Sequence, residues 1–447
     1  MSIYKDCDIR GICDSEINDR NIYHIGRALA TLAPGRILVG GDVRLSTPRL
    51  KDAFMRGLAD SGAEIVDLGT IPTPALYFAL KRCPSAAAGA TITASHNPPE
   101  YNGVKFMIGD APVTRETIDR LHDIVDSGKY ACGSGRMDSW NVTADYIGFL
   151  SERFRAPRPL HVLVDAGCGA MGPVAPEVFR RAGYRVTELS CAPDGSFPDR
   201  SPNPADYSCL GKTSEAVRAC GADFGVAFDG DGDRAVFLDE NGAPVQNEKS
   251  LVLFIRKLLA DNPSPVVYDQ KSSSIVRDAI GEMGGTPLPE KSGHAFIKRR
   301  FLENGAALAG EVSGHFFFGE LGYDDGLFAA LAMAELLAKS DKTLGQLARE
   351  IVCPPITPDI RVHCPYGEQQ RWLDSVEAMA RAAGAQLSFL DGVRADYPDG
   401  WFLMRKSVTA EQITLRAEAR TEARLRELLD QVASALPESA RESLKLR

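Results

Sequence analysis

Short apolar runs alternate with amphipathic stretches along most of the chain. The first series predicts three strands separated by two helices, at residues 36–40, 48–61, 64–68, 74–81 and 87–92. The same order restarts at residue 161 and again at residue 265. Because strands that alternate with helices usually pair in parallel, this pattern predicts three α/β units in succession.

The C-terminal part has a different pattern, in which short apolar runs follow one another between two helical stretches at residues 368–383 and 422–436. This favours an α+β unit with an antiparallel sheet. Proline-rich segments at 155–159 and 354–358 mark boundaries. We therefore predict an α/β fold with three similar mixed α/β domains, whose sheets are mostly parallel, and a C-terminal α+β domain with an antiparallel sheet. These domains, arranged around a central cleft, are predicted at residues 1–154, 155–248, 249–358 and 359–447.

Two segments are predicted to lie outside the regular elements. Residues 8–11, D-I-R-G, are too short for a helix and by themselves favour a surface turn. Residues 127–139 are rich in glycine and serine, and we expect a surface excursion there.

Composition narrows the class of protein. The 447 residues include 51 Lys and Arg and 60 Asp and Glu, and the basic and acidic residues are interleaved along the chain. This argues against a nucleic-acid groove or a membrane surface as the main partner. Charged residues near the N-terminus leave no apolar leader, and no apolar run approaches the ~20 residues of a membrane span. The ten cysteines are scattered without a C-x-x-C pair, which favours reduced thiols. We expect a soluble cytoplasmic protein.

The first candidate for chemistry is Ser95. The strand at 87–92 cannot continue through Asn97-Pro98-Pro99, so the serine lies on a turn at the carboxyl end of a strand, where open α/β sheets bind ligands. A hydroxyl there, with His96 beside it and Lys105 ten residues on, has the composition of a nucleophile with proton-transfer groups. The alternative is an ordinary Ser/Asn/Pro turn.

A second candidate follows the strand at 224–228. Asp229, Asp231 and Asp233 alternate with glycines, and three carboxylates converge only if a cation offsets their repulsion. All-oxygen ligands indicate Mg²⁺. An EF-hand loop would need glycine where Arg234 stands. An aspartyl-phosphate enzyme of the haloacid dehalogenase kind, with Asp229 as nucleophile, and a plain acidic turn both remain open.

Two further loops carry polar groups. Glu311, Ser313 and His315 alternate after a strand and form a set of hydrogen-bonding groups suited to sugar hydroxyls. The turn at residues 405–411, R-K-S-V-T-A-E, offers a guanidinium, hydroxyls and backbone N–H groups that suit a phosphate.

Two stretches resemble motifs of the α-D-phosphohexomutases of the phosphomannomutase/phosphoglucomutase type. They are T-I-T-A-S-H-N-P-P-E-Y-N-G-V-K-F at 91–106 and D-G-D-G-D-R at 229–234. The resemblance implies that Ser95 is phosphorylated and that Lys105 handles a substrate hydroxyl proton. It also implies that the three aspartates bind Mg²⁺ together with a phosphoserine oxygen, and that Arg234 holds that phosphate.

The resemblance extends to weaker motifs. It implies that Arg10 of D-I-R-G reaches the phosphoserine and that His315 is a second proton-transfer group. The predicted substrate ligands are Lys271, Lys291, His294, Glu311, Ser313, Arg405, Ser407 and Thr409. The C-terminal loop departs from the family at Lys406, Val408, Ala410 and Glu411. The segments G-G-D-V-R (40–44), P-T-P (72–74) and D-D-G (324–326) are assigned to loop and helix-cap structure.

The implied activity is reversible intramolecular phosphoryl transfer between hexose 1-phosphate and hexose 6-phosphate, of mannose and/or glucose, with hexose 1,6-bisphosphate as activator and intermediate. The expected partner is a small sugar phosphate, and the expected assembly is a monomer or weak dimer. The alternatives are a metal-dependent sugar phosphatase that uses Asp229, and a catalytically silent sugar-phosphate-binding paralogue, which Val408 and Ala410 motivate.

Overall fold

In the computed structural model, residues 3–407, 411–438 and 440–441 are described, and they form four sheets in chain order. The first sheet has the strand order β1-β5-β4-β2-β3-β7, with β6 beside β5. Its strands are β1 (Ile9–Ile12), β2 (Arg36–Gly41), β3 (Glu64–Thr70), β4 (Ala86–Ile92), β5 (Tyr101–Ile108), β6 (Ala111–Pro112) and β7 (Arg136–Ser139). Its helices are α1 (Asp19–Leu32), α2 (Thr47–Asp60), α3 (Thr73–Arg82), α4 (Arg115–Ser127) and α5 (Val142–Arg153).

One expectation for this sheet was wrong, and one strand was not expected. Residues 9–12 do not form a turn but an edge strand, in which Ile9 pairs with Val104 of β5. The Gly/Ser-rich segment contains β7, which pairs in parallel with β3 although all its side chains are exposed. Both strands escape sequence analysis because an edge strand is held by backbone hydrogen bonds and shows little apolar pattern.

The second sheet has the order β12-β11-β10-β8-β9. Its elements are β8 (His161–Asp165), α6 (Ala175–Arg181), β9 (Arg185–Leu189), a 3₁₀ turn (Tyr207–Leu210), α7 (Gly211–Cys220), β10 (Phe224–Phe228), β11 (Ala235–Leu238) and β12 (Pro244–Val245). Strand β8 runs parallel to β9 and β10, whereas β11 is antiparallel to β10. The central strands β8, β10 and β11 are buried along their whole length.

The third sheet repeats this plan in the order β14-β13-β15-β16-β17. Its elements are α8 (Asn247–Leu259), β13 (Pro265–Asp269), α9 (Ser274–Glu282), β14 (Thr286–Glu290), α10 (His294–Glu303), β15 (Leu308–Gly310), β16 (Phe316–Phe318), β17 (Tyr323–Asp324), α11 (Gly326–Ala338) and α12 (Leu344–Glu350).

The fourth sheet is antiparallel throughout, in the order β18-β22-β21-β20-β19, as expected for the C-terminal unit. Its elements are β18 (Ile360–His363), α13 (Tyr366–Ala382), β19 (Gln386–Ser388), β20 (Val393–Tyr397), β21 (Gly400–Lys406), β22 (Gln412–Ala419) and α14 (Glu422–Ser434). The predicted fold class is confirmed, whereas the domain boundaries at 154, 248 and 358 stay predictions.

One structural device recurs in all four sheets. Each candidate loop connects a strand to the antiparallel strand that follows it: β4 to β5, β10 to β11, β15 to β16, and β21 to β22. Sequence analysis placed the loops but missed β5, β11 and β16. In the first three sheets these hairpins turn the chain back at the edge where the parallel strands end, so their connections lie where α/β sheets bind ligands.

The apolar core is divided unequally. One cluster runs from Leu38 to Ile351 and includes buried side chains beneath the first three sheets, with helix α11 buried almost all round. The fourth sheet has its own cluster, which includes Val362, Trp372 and Leu428. None of the helices in the described parts of the chain combines the length and apolar character needed to span a bilayer.

Candidate active site

Ser95 is buried, and its backbone is strained. Ser95 has a φ of +50° and no exposed surface, and its backbone N–H donates to the Thr93 hydroxyl at 2.9 Å. A non-glycine residue in this left-handed region costs of order 1 kcal/mol or more, and such strain clusters at functional sites. The turn aims the Ser95 hydroxyl at the neighbouring sheet.

A buried arginine holds this loop in place. The guanidinium of Arg44 has no exposed surface and donates to the backbone oxygens of Ser95 and Asn97 at 2.8 and 2.6 Å. It also donates to those of Pro98 and Tyr101. Sequence analysis assigned G-G-D-V-R to loop structure only. Its Asp42 and Arg44 pair at 3.1 Å and fix the nucleophile's backbone, although neither touches a reacting atom.

The acidic triad lies directly against the serine. Asp229, Asp231 and Asp233 are fully buried, and each offers an oxygen within 4.8 Å of the others. The Ser95 hydroxyl donates to Asp229 Oδ2 at 2.8 Å. Gly230 permits this approach, because a Cβ there would lie 2.6 Å from the backbone oxygen of Ser95. Loops of two different sheets therefore meet at one hydroxyl.

The negative charge of the acidic triad is only partly balanced by neighbouring cations. Burial and the two neighbouring carboxylates raise the pKa of Asp229 well above its usual value. Burial alone would raise the pKa of Asp231 too, but the Lys105 ammonium lowers it. Asp231 Oδ1 and Asp233 Oδ1 are buried and accept no hydrogen bond, and the nearest cationic group that pairs with Asp233 Oδ1 is His315 Nδ1, at 3.7 Å. Orphaned carboxylate oxygens around one point fit a hard divalent cation.

A residue that sequence analysis left in a loop also supports the triad. Thr73, at the start of α3, donates from its backbone N–H to the Asp231 carbonyl at 2.8 Å and from its hydroxyl to Asp231 Oδ2 at 2.7 Å. The only indication of Thr73 in the sequence is the P-T-P segment at 72–74, which was assigned to loop structure.

The predicted groups beside the serine are brought together. Lys105 bonds to Asp231 at 2.9 Å and also to Asp233, and these carboxylates outweigh burial and raise its pKa. His96 Nδ1 lies 3.3 Å from Ser95 Oγ. Burial, and then Arg234, lower the pKa of His96 well below its usual value, so its imidazole is neutral. Arg10 donates to Asn97 Oδ1 at 2.6 Å, beside the serine loop, and pairs with Asp8.

A chain of hydrogen bonds joins the second and third sheets. Arg234 Nε donates to His315 Nε2 at 2.9 Å, and His315 Nδ1 meets Asp324 Oδ2 at 2.9 Å. The other oxygen of Asp324 meets His294 Nε2 at 2.9 Å. Because an arginine can only donate, His315 Nε2 must be the acceptor, and Nδ1 carries the proton. Asp324 thus fixes the tautomer of His315.

These hydrogen bonds correct part of the prediction for D-D-G at 324–326, which was assigned to helix-cap structure only. Asp325 does cap helix α11, accepting from the backbone N–H groups of Leu327 and Phe328 at 2.9 Å. Asp324 does not cap the helix, and it is a site residue. Burial alone would raise the pKa of Asp324, but His294 and His315 hold it well below its usual value.

The predicted sugar-binding loop, residues 311–315, includes His315 and so lies beside the same hydrogen bonds. The Ser313 hydroxyl donates to Glu311 Oε2 at 3.1 Å, and the backbone of Glu311 bonds to that of His315. Glu311 Oε1 is buried without a partner, so an acceptor remains for a ligand hydroxyl. Lys291 lies 3.5 Å from the centre of the Phe296 ring.

Two of the remaining predicted ligands, Lys271 and Arg405, form a separate group with their carboxylate partners Asp359 and Asp391, and we call these four residues the clamp cluster. Lys271 pairs with Asp359 at 3.0 Å, and Arg405 with Asp391 at 3.2 Å. Ser407 donates its backbone N–H to Gln412 across the hairpin. The predicted ligand Thr409, with Val408 and Ala410, lies outside the described residues.

The catalytic cluster comprises Ser95, Lys105, Arg234, His315, Asp324 and the acidic triad. It borders a cavity of about 290 Å³ whose lining includes Arg10, His96, Lys105, Arg234, His294 and His315. A second cavity, of about 530 Å³, lies by Arg277, Trp401 and Glu418 and contains none of these groups. The smaller cavity is therefore the candidate substrate site.

Comparison with known proteins agrees with this geometry. A solved structure titled phosphoglucomutase/phosphomannomutase family protein, from Burkholderia thailandensis, superimposes with a TM-score of 0.92 and 33% identity over 98% of this chain and 97% of its own. Fold and site together therefore define a phosphohexomutase architecture.

Sequence matches extend this result to the family. Models of the phosphoglucomutase/phosphomannomutase α/β/α domains I, II and III match residues 2–131, 144–242 and 246–353, and the C-terminal domain matches 360–435. A phosphoglucomutase of Neisseria meningitidis is 36% identical over 96% of this chain and 95% of its own length. A phosphomannomutase/phosphoglucomutase of Pseudomonas aeruginosa is 34% identical over 98% and 97%. The chain belongs to the phosphoglucomutase/phosphomannomutase family.

Proposed function

We propose that this enzyme interconverts hexose 1-phosphate and hexose 6-phosphate, of glucose and/or mannose, through phosphorylated Ser95 and a bisphosphorylated sugar. The observation that carries this proposal is the 2.8 Å contact between Ser95 Oγ and Asp229 Oδ2, which joins a nucleophile and an acidic triad from two sheets. The names of the relatives, phosphoglucomutase and phosphomannomutase/phosphoglucomutase, support the same substrates.

In the forward step the bond between Ser95 Oγ and phosphorus breaks, and a new bond forms to the free hydroxyl oxygen of the sugar monophosphate. His315 Nε2 accepts the hydroxyl proton once Arg234 turns to the phosphoserine. Arg10, Arg234 and Lys105 stabilise negative charge on the moving group, and neutral His96 hydrogen-bonds at Ser95. As the phosphoryl group leaves, Ser95 Oγ takes a proton from the Lys105 ammonium. In the second step the Ser95 hydroxyl attacks the other phosphoryl group and returns its proton to Lys105, and His315 gives its proton to the sugar oxygen that is released.

The acidic triad and a phosphoserine oxygen would hold Mg²⁺, and the buried oxygens of Asp231 and Asp233 that accept no hydrogen bond support this assignment. When bound, the ion neutralises charge on the transferring phosphoryl group. The predicted hexose 1,6-bisphosphate would phosphorylate the serine and so activate the enzyme.

The sugar and its second phosphate need other ligands. Glu311, Ser313, Lys291 and His294 would bind the hydroxyls. Lys271, Arg405, Ser407 and Thr409 would bind the phosphate that does not react, which would displace Asp359 and Asp391 from their cationic partners.

Phosphopeptide mapping tests the proposal. After incubation with glucose 1,6-bisphosphate and Mg²⁺, we expect an acid-stable phosphate on Ser95, and conversion of glucose 1-phosphate or mannose 1-phosphate to the 6-phosphate. A hydroxylamine-sensitive label on Asp229 would instead indicate the phosphatase alternative. Failure to isomerise any sugar 1-phosphate tested, glucosamine 1-phosphate included, would indicate the silent paralogue.

We also infer a cytoplasmic enzyme that is a monomer or weak dimer. All ten cysteines are free thiols, which supports a reducing compartment. Light scattering after size exclusion would contradict this assembly if it gave a dimer that persists at nanomolar concentration.

A further inference from the structure

Lys298 is a buried cation that neither the sequence motifs nor the proposed chemistry uses. It lies on helix α10, between the predicted ligand His294 and the helix end, and only 1% of its surface is exposed. Lysine is almost never buried to this degree without a partner of opposite charge.

No carboxylate lies within 4.0 Å of this ammonium among the residues that the structure describes. Its contacts are the Met107 sulfur at 3.3 Å and the Tyr77 ring, whose centre is 3.8 Å away. A thioether is a weak acceptor, and an aromatic face offsets only part of the lost hydration. By contrast, Lys257, which is also partly buried, has Glu335 at 2.7 Å.

Burial disfavours the charged form of Lys298 more than the neighbouring carboxylates favour it. Burial lowers the pKa of its ammonium to about 8, although Asp324 on β17 and Asp110 after β5 raise it. Lys81 on α3 and Lys105 on β5 lower it further. Without a ligand, this group is therefore close to losing its proton in mildly alkaline solution.

The side chain lines the candidate substrate cavity. Lys298 borders the same cavity of about 290 Å³ as Arg10, Lys105 and Arg234, and its two neighbours Met107 and Tyr77 also line it. An anion bound in this cavity would give the Lys298 ammonium a close counter-charge, which the described residues do not. A sugar phosphate carries two negative charges above pH 7, because the second pKa of a phosphate ester is about 6.

We propose that Lys298 is a substrate-binding residue whose counter-charge is the dianionic phosphate of the bound sugar, and that its ammonium takes up a proton as this dianion enters the cavity. This inference rests on the proposed function, since it assumes that a sugar phosphate binds there. As pH rises through 8, the empty cavity loses the Lys298 proton, so affinity for the dianion must fall.

Calorimetry of binding tests this coupling directly. Glucose 1-phosphate is titrated, with Mg²⁺ present, into Ser95→Ala protein, in which transfer is blocked. The experiment is repeated between pH 7.5 and 9 in buffers of different ionisation enthalpy, which yields the number of protons taken up. We expect uptake of more than half a proton at pH 8.5.

Three variants of this protein assign the proton. In Lys298→Met, which keeps length without charge, uptake at pH 8.5 should vanish, affinity at pH 7.5 should fall about tenfold, and the difference from the parent should shrink by pH 9. Lys298→Arg, whose charge is permanent, should bind without uptake. The control Lys257→Met removes a paired lysine outside the cavity and should leave both quantities unchanged.

Stability gives a second readout. Replacing an unpaired buried ammonium with an apolar side chain should raise the melting temperature of Lys298→Met at pH 7. If Lys298→Met and Lys298→Arg both keep the parental proton uptake and affinity, the ammonium only supports Tyr77 and the inference is wrong. If Lys298→Met does not fold, parental uptake by Lys298→Arg alone is enough to overturn the inference. These results differ from failure of the proposed function, in which the unmodified enzyme would convert no sugar phosphate.

Discussion

The catalytic cluster and the clamp cluster are built in opposite ways. Ser95 and the acidic triad are fully buried, and the triad follows β10, whose side chains belong to the apolar core shared by the first three sheets. In the clamp cluster, the side chains of Lys271 and Arg405 are 15% and 25% exposed, and Arg405 belongs to the sheet that has its own core. The catalytic cluster is thus preorganised, whereas the two cations proposed to bind the distant phosphate are held by carboxylates that a ligand can replace.

This difference predicts how substitutions divide between kcat and KM. Changes in the catalytic cluster should lower kcat, because its contacts act on the moving phosphoryl group. Changes in the clamp cluster should raise KM, because its contacts are equal in the ground state and the transition state.

The largest effect is expected for Ser95→Ala. Without the hydroxyl no phosphoenzyme forms, so conversion of glucose 1-phosphate, primed with glucose 1,6-bisphosphate, should fall by about 10⁴-fold or more. A coupled assay of 6-phosphate formation measures it. Ser196→Ala, at an exposed serine, is the control. Activity within tenfold of the parent in Ser95→Ala would remove the serine from the mechanism.

Metal removal should have the next largest effect. Chelation should abolish turnover, and added Mg²⁺ should restore it. Mg²⁺ should also raise the melting temperature, because at 100 times the dissociation constant binding adds about 2.7 kcal/mol to the free energy of unfolding. The stabilisation arises because three buried carboxylates repel one another without a cation. Scanning fluorimetry during a Mg²⁺ titration measures it. Full activity after exhaustive chelation would contradict a metal site.

A smaller loss is expected for Asp324→Asn. The amide would present an N–H group to His315 or His294, which disfavours the tautomer with an acceptor at His315 Nε2, so kcat should fall about 10²-fold at nearly constant KM. Asp325→Asn keeps an oxygen for the helix cap and should retain kcat. Steady-state kinetics of both variants provides the test, and equal losses would show that Asp324 has only a structural role.

The smallest effect is expected in the clamp cluster. Arg405→Ala should raise KM about 10- to 100-fold with kcat within a few fold, since a charge-assisted hydrogen bond contributes about 1.5–3 kcal/mol. Arg371→Ala, at a surface arginine on α13, should change neither parameter. A loss confined to kcat in Arg405→Ala would mean that the two clusters do not divide the work as proposed.

Sequence predicted the catalytic cluster better than its supports. Ser95 and the triad lie in contiguous motifs at strand ends, so local order is enough to find them. Arg44 and Thr73 were missed as supports because their partners are distant backbone groups and a side chain 158 residues away. Asp324 was hidden by its neighbour Asp325, which satisfies the helix-cap pattern. Lys298 gave no signal, because I-K-R-R on a helix resembles a solvated face.

The separate core beneath the fourth sheet has an evolutionary consequence. Substitutions that reshape the hairpin after Arg405 are absorbed by packing that the reaction centre does not share, so binding of the distant phosphate can change in evolution while the serine and sugar-binding loops stay intact. Lys406 and Glu411, two positions where the loop is expected to differ from the family motif, lie at the two ends of that hairpin connection. Diversification in such a lineage would therefore begin at the C-terminal unit.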